Sequence, residues 1–287
     1  MKHDPHRAES PTNHVMQCME IWGSSSAAHQ NVSTPGLDTW VWSVPFEQAD
    51  GGGDVHYVSL CGGGLITRLI LADVSGHGAS VADMARSLRD LMRRYINRKT
   101  QSRLVKDLNK QFGELAKLRR FATAVVATYL NNRRELTLCN AGHPRPLWFR
   151  SVTKTWHFIS SDAPDDGKLT NLPLGIDDSA DYPQVRLKLD HDDLILIYTD
   201  ALVEASNPEG VLLGESGLHR LIEALDTSDP AVLAKELIGS LERYRGGSPP
   251  DDDFTFLLLR HRAGEKKRLS VGEKLDVYAK VFGIKRV

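Results

Sequence analysis

Residues 69–78, LILADVSGHG, join a strongly apolar strand to a glycine-containing loop through one aspartate, Asp73. They are the most specific signal in the sequence. A carboxylate that closes so apolar a strand is costly unless something compensates its charge. Gly76 and Gly78 allow the backbone to turn sharply after the strand, so that a main-chain carbonyl can point at a cation. Ser75 or His77 can cap the helix that is predicted to follow.

The residues before this stretch predict a β-hairpin. Residues 55–61 have the pattern of a strand, Gly62 to Gly64 form a turn, and residues 65–73 return as the second strand. Residues 39–45 alternate in the same way and predict an earlier strand.

The residues after it predict helices and strands in separate blocks. Helical periodicity over 79–97 is followed by a second helix over 102–118. Further strands are predicted at 121–130, 135–140, 147–149, 155–159, 185–189, 194–198 and 254–260, and further helices at 214–225 and 230–244. Because the strands and helices do not alternate, we predict an α+β fold in which two antiparallel sheets pack together with helices outside.

Composition divides the chain into three parts. Residues 1–38, rich in Ser, His, Asn and Pro, are expected to form a partly ordered N-terminal arm, and residues 39–262 the folded domain. Residues 263–287 form a basic C-terminal tail that either faces a partner or is disordered, or else forms a solvated helix.

Charge and cysteine content disfavour several classes of protein. The 287 residues carry a net charge of −1, which gives no reason to expect a nucleic acid or an anionic membrane as partner. The three cysteines are far apart in the sequence and include no CxxC pair, so we expect buried free thiols in a reducing compartment. There is no visible signal peptide and no apolar run of the ~18–20 residues that a transmembrane helix needs, so we expect a cytoplasmic protein.

Four aspartates share one property: each lies at the end of a predicted strand or in the turn beside it. They are Asp54, Asp73, Asp200 and Asp252. One such residue is usually a turn former or a helix cap. Four of them, however, can meet at one edge of a sandwich, where like carboxylates repel and hard divalent cations are the usual remedy.

Carboxylate, carbonyl and water oxygens suit Mg²⁺ or Mn²⁺, and two such ions can activate a water for attack on phosphorus. No protein nucleophile is then required. His77 could protonate the leaving serine oxygen, or it could be only a cap or loop residue.

Six short motifs occur in one order: GGD at 52–54, DVSGHG at 73–78, NAGHP at 140–144, PLG at 173–175, YTDALVEA at 198–205 and DDFT at 252–255. Over roughly residues 40–260 the set resembles the PPM (type 2C-like) protein phosphatases, specifically the SpoIIE/RsbU branch of bacterial serine phosphatases. The resemblance implies an α-β-β-α sandwich.

The resemblance also implies roles for single residues. Asp73 would bridge two divalent cations, Mn²⁺ or Mg²⁺, and the carbonyl of Val74 would complete the second site. Asp200 and Asp252 would hold the first cation, and Asp54 would act on the second through water. The substrate implied is a phosphoprotein, often a STAS-domain anti-anti-sigma factor in a partner-switching pathway.

The sequence departs from the family pattern in places. Ala201 stands where the family usually has glycine, which is tolerable unless that position needs a positive φ. His143 is expected to be a hydrogen-bonded turn residue rather than a ligand. We also expect an exposed apolar stripe beside Asp73. We hypothesise that the position of the two helices at 79–97 and 102–118 gates metal occupancy, through a homodimer or the docking of a regulatory partner.

Two other readings compete with an active phosphatase. A catalytically silent relative could serve as a binding module, although such a protein would be expected to lack one of the four aspartates. A two-metal phosphodiesterase or nuclease is disfavoured, because there is no His-rich metal set and no basic, aromatic-lined surface.

Overall fold

The computed structural model describes residues 12–76, 79–95, 98, 100–116, 120–160 and 170–262. These residues form two sheets and four helices in an α-β-β-α arrangement. The strands are β1 Thr12–Val15, β2 Ile21–Trp22, β3 Ala28–Thr34, β4 Leu37–Val44, β5 Asp54–Cys61, β6 Ile66–Val74, β7 Ala122–Leu130, β8 Glu135–Ala141, β9 Leu147–Arg150, β10 Thr155–Phe158, β11 Gln184–Lys188, β12 Leu194–Tyr198 and β13 Phe254–His261. The helices are α1 Ala79–Tyr95, α2 Gln101–Ala116, α3 Gly214–Glu223 and α4 Pro230–Tyr244.

The two sheets are almost wholly antiparallel. The seven-stranded sheet has the order β1-β3-β4-β13-β12-β9-β10, and the six-stranded sheet the order β11-β8-β7-β6-β5-β2. The pairing of β1 with β3 is parallel, which is an exception to the prediction. The two sheets with helices on their outer faces nevertheless confirm the predicted α+β class.

Successive side chains of β5 point to opposite faces of the six-stranded sheet, so this strand contributes to two layers of the core. Val55 and Tyr57 pack toward α1 and α2, whereas Val58 and Leu60 lie between the two sheets. Because helices cover one face and the other sheet covers the opposite face, these strands are apolar on both sides. On the other side of the molecule, α3 and α4 pack on the seven-stranded sheet.

The apolar stripe of α1 is buried. Val81, Leu88 and Met92 are at most 2% exposed and pack against the six-stranded sheet. The expectation of an exposed stripe beside Asp73 is therefore wrong, because the sheet itself needs an apolar cover on this face.

Residues before the predicted domain boundary belong to both sheets. β1 pairs with β3 at the edge of the seven-stranded sheet, and β2 pairs with β5 at the edge of the six-stranded one. The expected boundary after residue 38 falls inside β4. The tail at 263–287 lies outside the described residues. Among the residues that are described, no helix has the length and apolarity required to cross a membrane.

Candidate metal centre

Asp54 and Asp73 face each other across the β5–β6 ladder. Directly opposed residues of an antiparallel pair have Cβ atoms roughly 4.5–5.5 Å apart, and like charges placed there destabilise the pair. Burial, followed by the charge of Asp73, raises the pKa of Asp54 well above its usual value. The ladder therefore brings two predicted metal ligands together.

Asp54 also connects the two sheets. The hydroxyl of Thr199, directly after β12, lies 3.0 Å from Oδ2 of Asp54 and can donate to it. The same hydroxyl accepts a hydrogen bond of 3.1 Å from the backbone N–H of Thr255 in β13. The carboxylate of Asp54 is thus fixed by residues from the opposite sheet.

Asp200 and Asp252 come to the same edge because their strands are paired there. Tyr198, at the end of β12, lies opposite Phe256 near the start of β13. Burial, followed by the charges of Asp200 and Asp252, raises the pKa of Asp73 to about 7. Burial, then nearby carboxylates including Asp252, raise the pKa of Asp200 to about 6. The structure thus brings the four predicted carboxylates together.

Sequence reasoning missed Asp253, which holds the loop in front of β5. Its Oδ1 accepts a hydrogen bond of 2.7 Å from the backbone N–H of Phe46. Its Oδ2 accepts a hydrogen bond from the backbone N–H of Gly53, and the backbone nitrogen of Asp54 lies 3.4 Å from the same oxygen. A Cβ atom on Gly52 would come closer than 3.0 Å to this carboxylate. The doubled Asp in the DDFT motif was the available signal.

Glu204 is a second residue that sequence reasoning missed. It is exposed, its backbone N–H donates to the carbonyl of Asp200 at 2.8 Å, and its carboxylate contributes to the raised pKa of Asp73 and of Asp200. It lies one helical turn after Asp200, a spacing that brings side chains to the same face.

The loop after β6 is held from outside the site. The backbone N–H of Ser75 donates to the carbonyl of Phe121 at 3.0 Å, and Nη1 of Arg120 donates to the carbonyl of Ser75 at 2.9 Å. Gly76 has φ +106°, as its predicted role in a sharp turn requires. The carbonyl oxygen of Val74 lies close to Gly53. His77, the predicted general acid, lies outside the described residues.

The NAGHP loop has the structural role expected of it. The side chain of Asn140 accepts from the N–H of His143 and donates to its carbonyl, both at 2.8 Å. Nδ1 of His143 lies 2.7 Å from the hydroxyl of Thr123, and burial lowers the pKa of the imidazole to about 3. Ala201 has no positive φ, so the absence of glycine there brings no backbone strain.

The ligand set has the chemistry that a hard divalent cation prefers, because it consists of carboxylate and carbonyl oxygens. The like charges of the carboxylates repel one another, and a cation would relieve this repulsion. Within residues 12–76, 79–95, 98, 100–116, 120–160 and 170–262, however, no group of three or more His, Cys, Asp or Glu side chains is arranged to hold an ion. The carboxylates are close enough to perturb one another but are not arranged as a coordination shell.

Comparison with known proteins identifies related sequences. The family model of stage II sporulation protein E (SpoIIE) matches residues 66–262. Two relatives from Bacillus subtilis are 26% identical: phosphoserine phosphatase RsbP over 67% of this chain and 45% of its own length, and phosphoserine phosphatase RsbU over 56% and 45%. The chain thus spans less than half the length of these curated relatives.

Solved structures share the fold. The RsbU and RsbW domains of a Mycobacterium tuberculosis protein align with a TM-score of 0.66 at 22% identity, over 86% of this chain and 70% of that one. The phosphatase domain of Bacillus subtilis SpoIIE, with a fragment of its regulatory domain, aligns with 0.66 at 17% identity, over 85% and 71%. RsbX in complex with magnesium aligns with 0.57 at 17% identity, over 81% and 98%.

Proposed function

The chain belongs to the SpoIIE family, and from this premise we propose that it is a metal-dependent protein phosphatase that removes phosphate from serine or threonine of a partner protein. Its sequence relatives RsbP and RsbU carry the name phosphoserine phosphatase. The observation that supports the proposal most strongly is the gathering of Asp54, Asp73, Asp200 and Asp252 at one end of the sandwich, two from each sheet.

These residues would hold two divalent cations of the Mg²⁺ or Mn²⁺ class: Asp73 between them, Asp200 and Asp252 at the first, the Val74 carbonyl at the second, and Asp54 through water. Bound there, such ions supply positive charge for the phosphate and lower the pKa of water toward neutrality. The magnesium named with RsbX, a fold relative, agrees with this class of ion.

The protein's own residues have two tasks in this proposal. Asp253 and Thr199 fix the loop before β5 and the carboxylate of Asp54, so that the acidic edge keeps its shape. The carboxylates of the four predicted metal ligands repel a phosphate dianion until cations neutralise their charge. Hydrolysis should therefore depend strictly on added cations. Protonation of the leaving oxygen by His77 stays a prediction.

The substrate and the pathway are also proposals. A phosphorylated STAS-domain protein of a bacterial partner-switching pathway is the substrate we expect from the family. A homodimer or a regulatory partner remains a prediction, but the buried stripe of α1 no longer supports it.

One observation favours the alternative of a catalytically silent binding module. The carboxylates within the described residues form no ready coordination shell. Retention of all four aspartates favours activity instead. Buried like charges are costly, and a silent relative that binds no cation would gain nothing that offsets this cost.

The test is hydrolysis of p-nitrophenyl phosphate and of a phosphoserine peptide by wild type, Asp73→Asn and Asp226→Asn. Asp226 is a matched control, because it lies in the exposed loop between α3 and α4, where its carboxylate accepts hydrogen bonds from Ser228. We expect turnover with Mn²⁺ for wild type and the control, and near-complete loss for Asp73→Asn. Turnover without cations would reject the metal mechanism, and none under any condition would favour the silent module.

A further inference from the structure

Two of the three cysteines are neighbours in space. Cys18 is exposed, Cys61 is partly exposed at the end of β5, and Cys139 is buried in β8. All three are free thiols in the structure. The expectation of three buried thiols is therefore wrong, because Cys18 lies in a surface turn.

A bulge next to the β2–β5 ladder brings Cys18 near Cys61. The ladder ends with Ile21 paired to Ser59. Beyond it, the N–H of Leu60 donates to the carbonyl of Glu20 at 3.1 Å, while the carbonyl of Leu60 accepts from the N–H of Met19 at 2.8 Å. Two residues thus face one, as in a β-bulge whose first residue has positive φ, here Met19 at 73°.

The hydrogen bond from Met19 to Leu60 limits the distance between the two cysteines. With standard bond geometry on both sides of it, their Cα atoms are at most about 8 Å apart. Disulfides span Cα separations of about 4.4–6.8 Å, which lies within that limit. Gly62 to Gly64, all with positive φ, follow Cys61 directly and give the strand end freedom to adjust.

The surroundings give the two thiols different roles. Burial raises the pKa of Cys61, while the guanidinium of Arg68 opposes the rise and Cys18 adds to it. Cys18 is exposed and accessible to a soluble reagent. Cys18 is thus the thiol that reacts first, and Cys61 is the one that resolves the intermediate.

We propose that Cys18 and Cys61 form a reversible disulfide through exchange with a small-molecule disulfide such as oxidised glutathione. The Cys18 thiolate attacks one glutathione sulfur, the glutathione S–S bond breaks, and one glutathione thiolate leaves. The Cys61 thiolate then attacks the Cys18 sulfur and releases the second glutathione. Two protein thiols are oxidised, one glutathione disulfide is reduced to two thiols, and the two protons from the cysteines end on glutathione.

The disulfide would anchor the segment that runs from the N-terminal strands to the acidic edge. After β2, the carbonyl of Ser24 accepts from the N–H of His56 at 3.1 Å, and that of Ser25 accepts from the N–H of Gly52 at 2.9 Å. The bond would fix the far end of this segment and close a loop containing the four strands β2 to β5. The inference does not depend on the proposed phosphatase activity.

The test incubates the full chain with graded ratios of oxidised to reduced glutathione, then alkylates free thiols and maps peptides by mass. We expect a Cys18–Cys61 peptide that loses two hydrogens, with Cys139 remaining alkylatable after unfolding. Oxidation should raise the unfolding midpoint of wild type by about 5–10 °C. Cys18→Ser should show no rise, whereas Cys139→Ala should show the same rise as wild type.

Three outcomes would overturn the proposal. They are persistence of glutathione on Cys18 without the internal bond, a link that involves Cys139 or a second molecule, and equal thermal shifts in wild type and Cys18→Ser. Cys18 is exposed, so its substitution by serine should leave the fold intact, which the circular dichroism of the reduced protein checks.

Discussion

Replacing Gly52 by alanine should displace Asp253 and loosen the acidic edge. The new Cβ would lie closer than 3.0 Å to both carboxylate oxygens and to Cγ of Asp253, so the carboxylate has to move. It would then lose its hydrogen bonds from the N–H groups of Phe46 and Gly53. Since the φ of Gly52 is not positive, backbone strain does not contribute to the effect.

The expected size follows from those two bonds. A hydrogen bond to a charged group contributes about 1.5–3 kcal/mol, and two at the lower limit give about 3 kcal/mol. The reduced freedom of alanine in the unfolded chain offsets about 0.5–1 kcal/mol of this loss. The net destabilisation is about 2 kcal/mol, which lowers the unfolding midpoint by about 4–8 °C.

Urea unfolding monitored by circular dichroism measures the change, and Gly51→Ala is the matched control. The nearest atoms to a Cβ on Gly51 would belong to Ser25, with its hydroxyl oxygen at 3.2 Å and its carbonyl oxygen at 3.4 Å. In an Asp253→Ala background the Gly52 substitution should cost less than about 0.5 kcal/mol, because the clash is gone. Equal stability of the two glycine variants, or the same loss in both backgrounds, would refute the reasoning.

Three further predictions concern cations, pH and helix stability. Millimolar Mn²⁺ should raise the unfolding midpoint of wild type but not of Asp73→Asn, and a chelator should reverse the rise; equal shifts in both proteins would contradict cation binding at the acidic edge. The pKa of His143 is lowered on folding, so its contribution to stability is complete above the unfolded pKa of about 6.5 and is lost as the pH falls toward 3. Between pH 7.5 and 5.5 the free energy of unfolding of wild type should therefore fall by about 1.3 kcal/mol more than that of His143→Gln. The acidic residues contribute equally in both proteins. Free energies from urea unfolding that fall in parallel in the two proteins would contradict this prediction. Gly239→Ala in α4, where an added Cβ meets nothing within 4 Å, should stabilise the protein by about 0.5–1 kcal/mol, and a destabilised variant in the same urea assay would show that the site is constrained.

The convergence of the aspartates was predictable from sequence because it follows from strand ends. Antiparallel pairing places Asp73 opposite Asp54 in one sheet and brings Asp200 near the start of β13 in the other. Packing of the two sheets then joins the two pairs. The hairpin turn at Gly62 to Gly64 was predictable for the same local reason, since glycine accepts the positive φ found there.

What escaped prediction depends on contacts between distant segments. Asp253 reads as a second turn aspartate until the loop before β5 is placed against it. β1 and β2 have four and two residues, which is too short for a periodic signal, and they exist because β3 and β5 offer them edges. Cys18 and Cys61 are neighbours only through that same pairing.

The position of β13 has a consequence for synthesis on the ribosome. It lies between β4 and β12 in the seven-stranded sheet, although it is the last described strand along the chain. β4 ends at Val44 and β13 begins at Phe254, so at translation rates of about 5–20 residues per second β4 waits roughly 10–40 s for this partner. During that interval the nascent β3–β4 hairpin has an open edge, a state in which chaperone protection matters most.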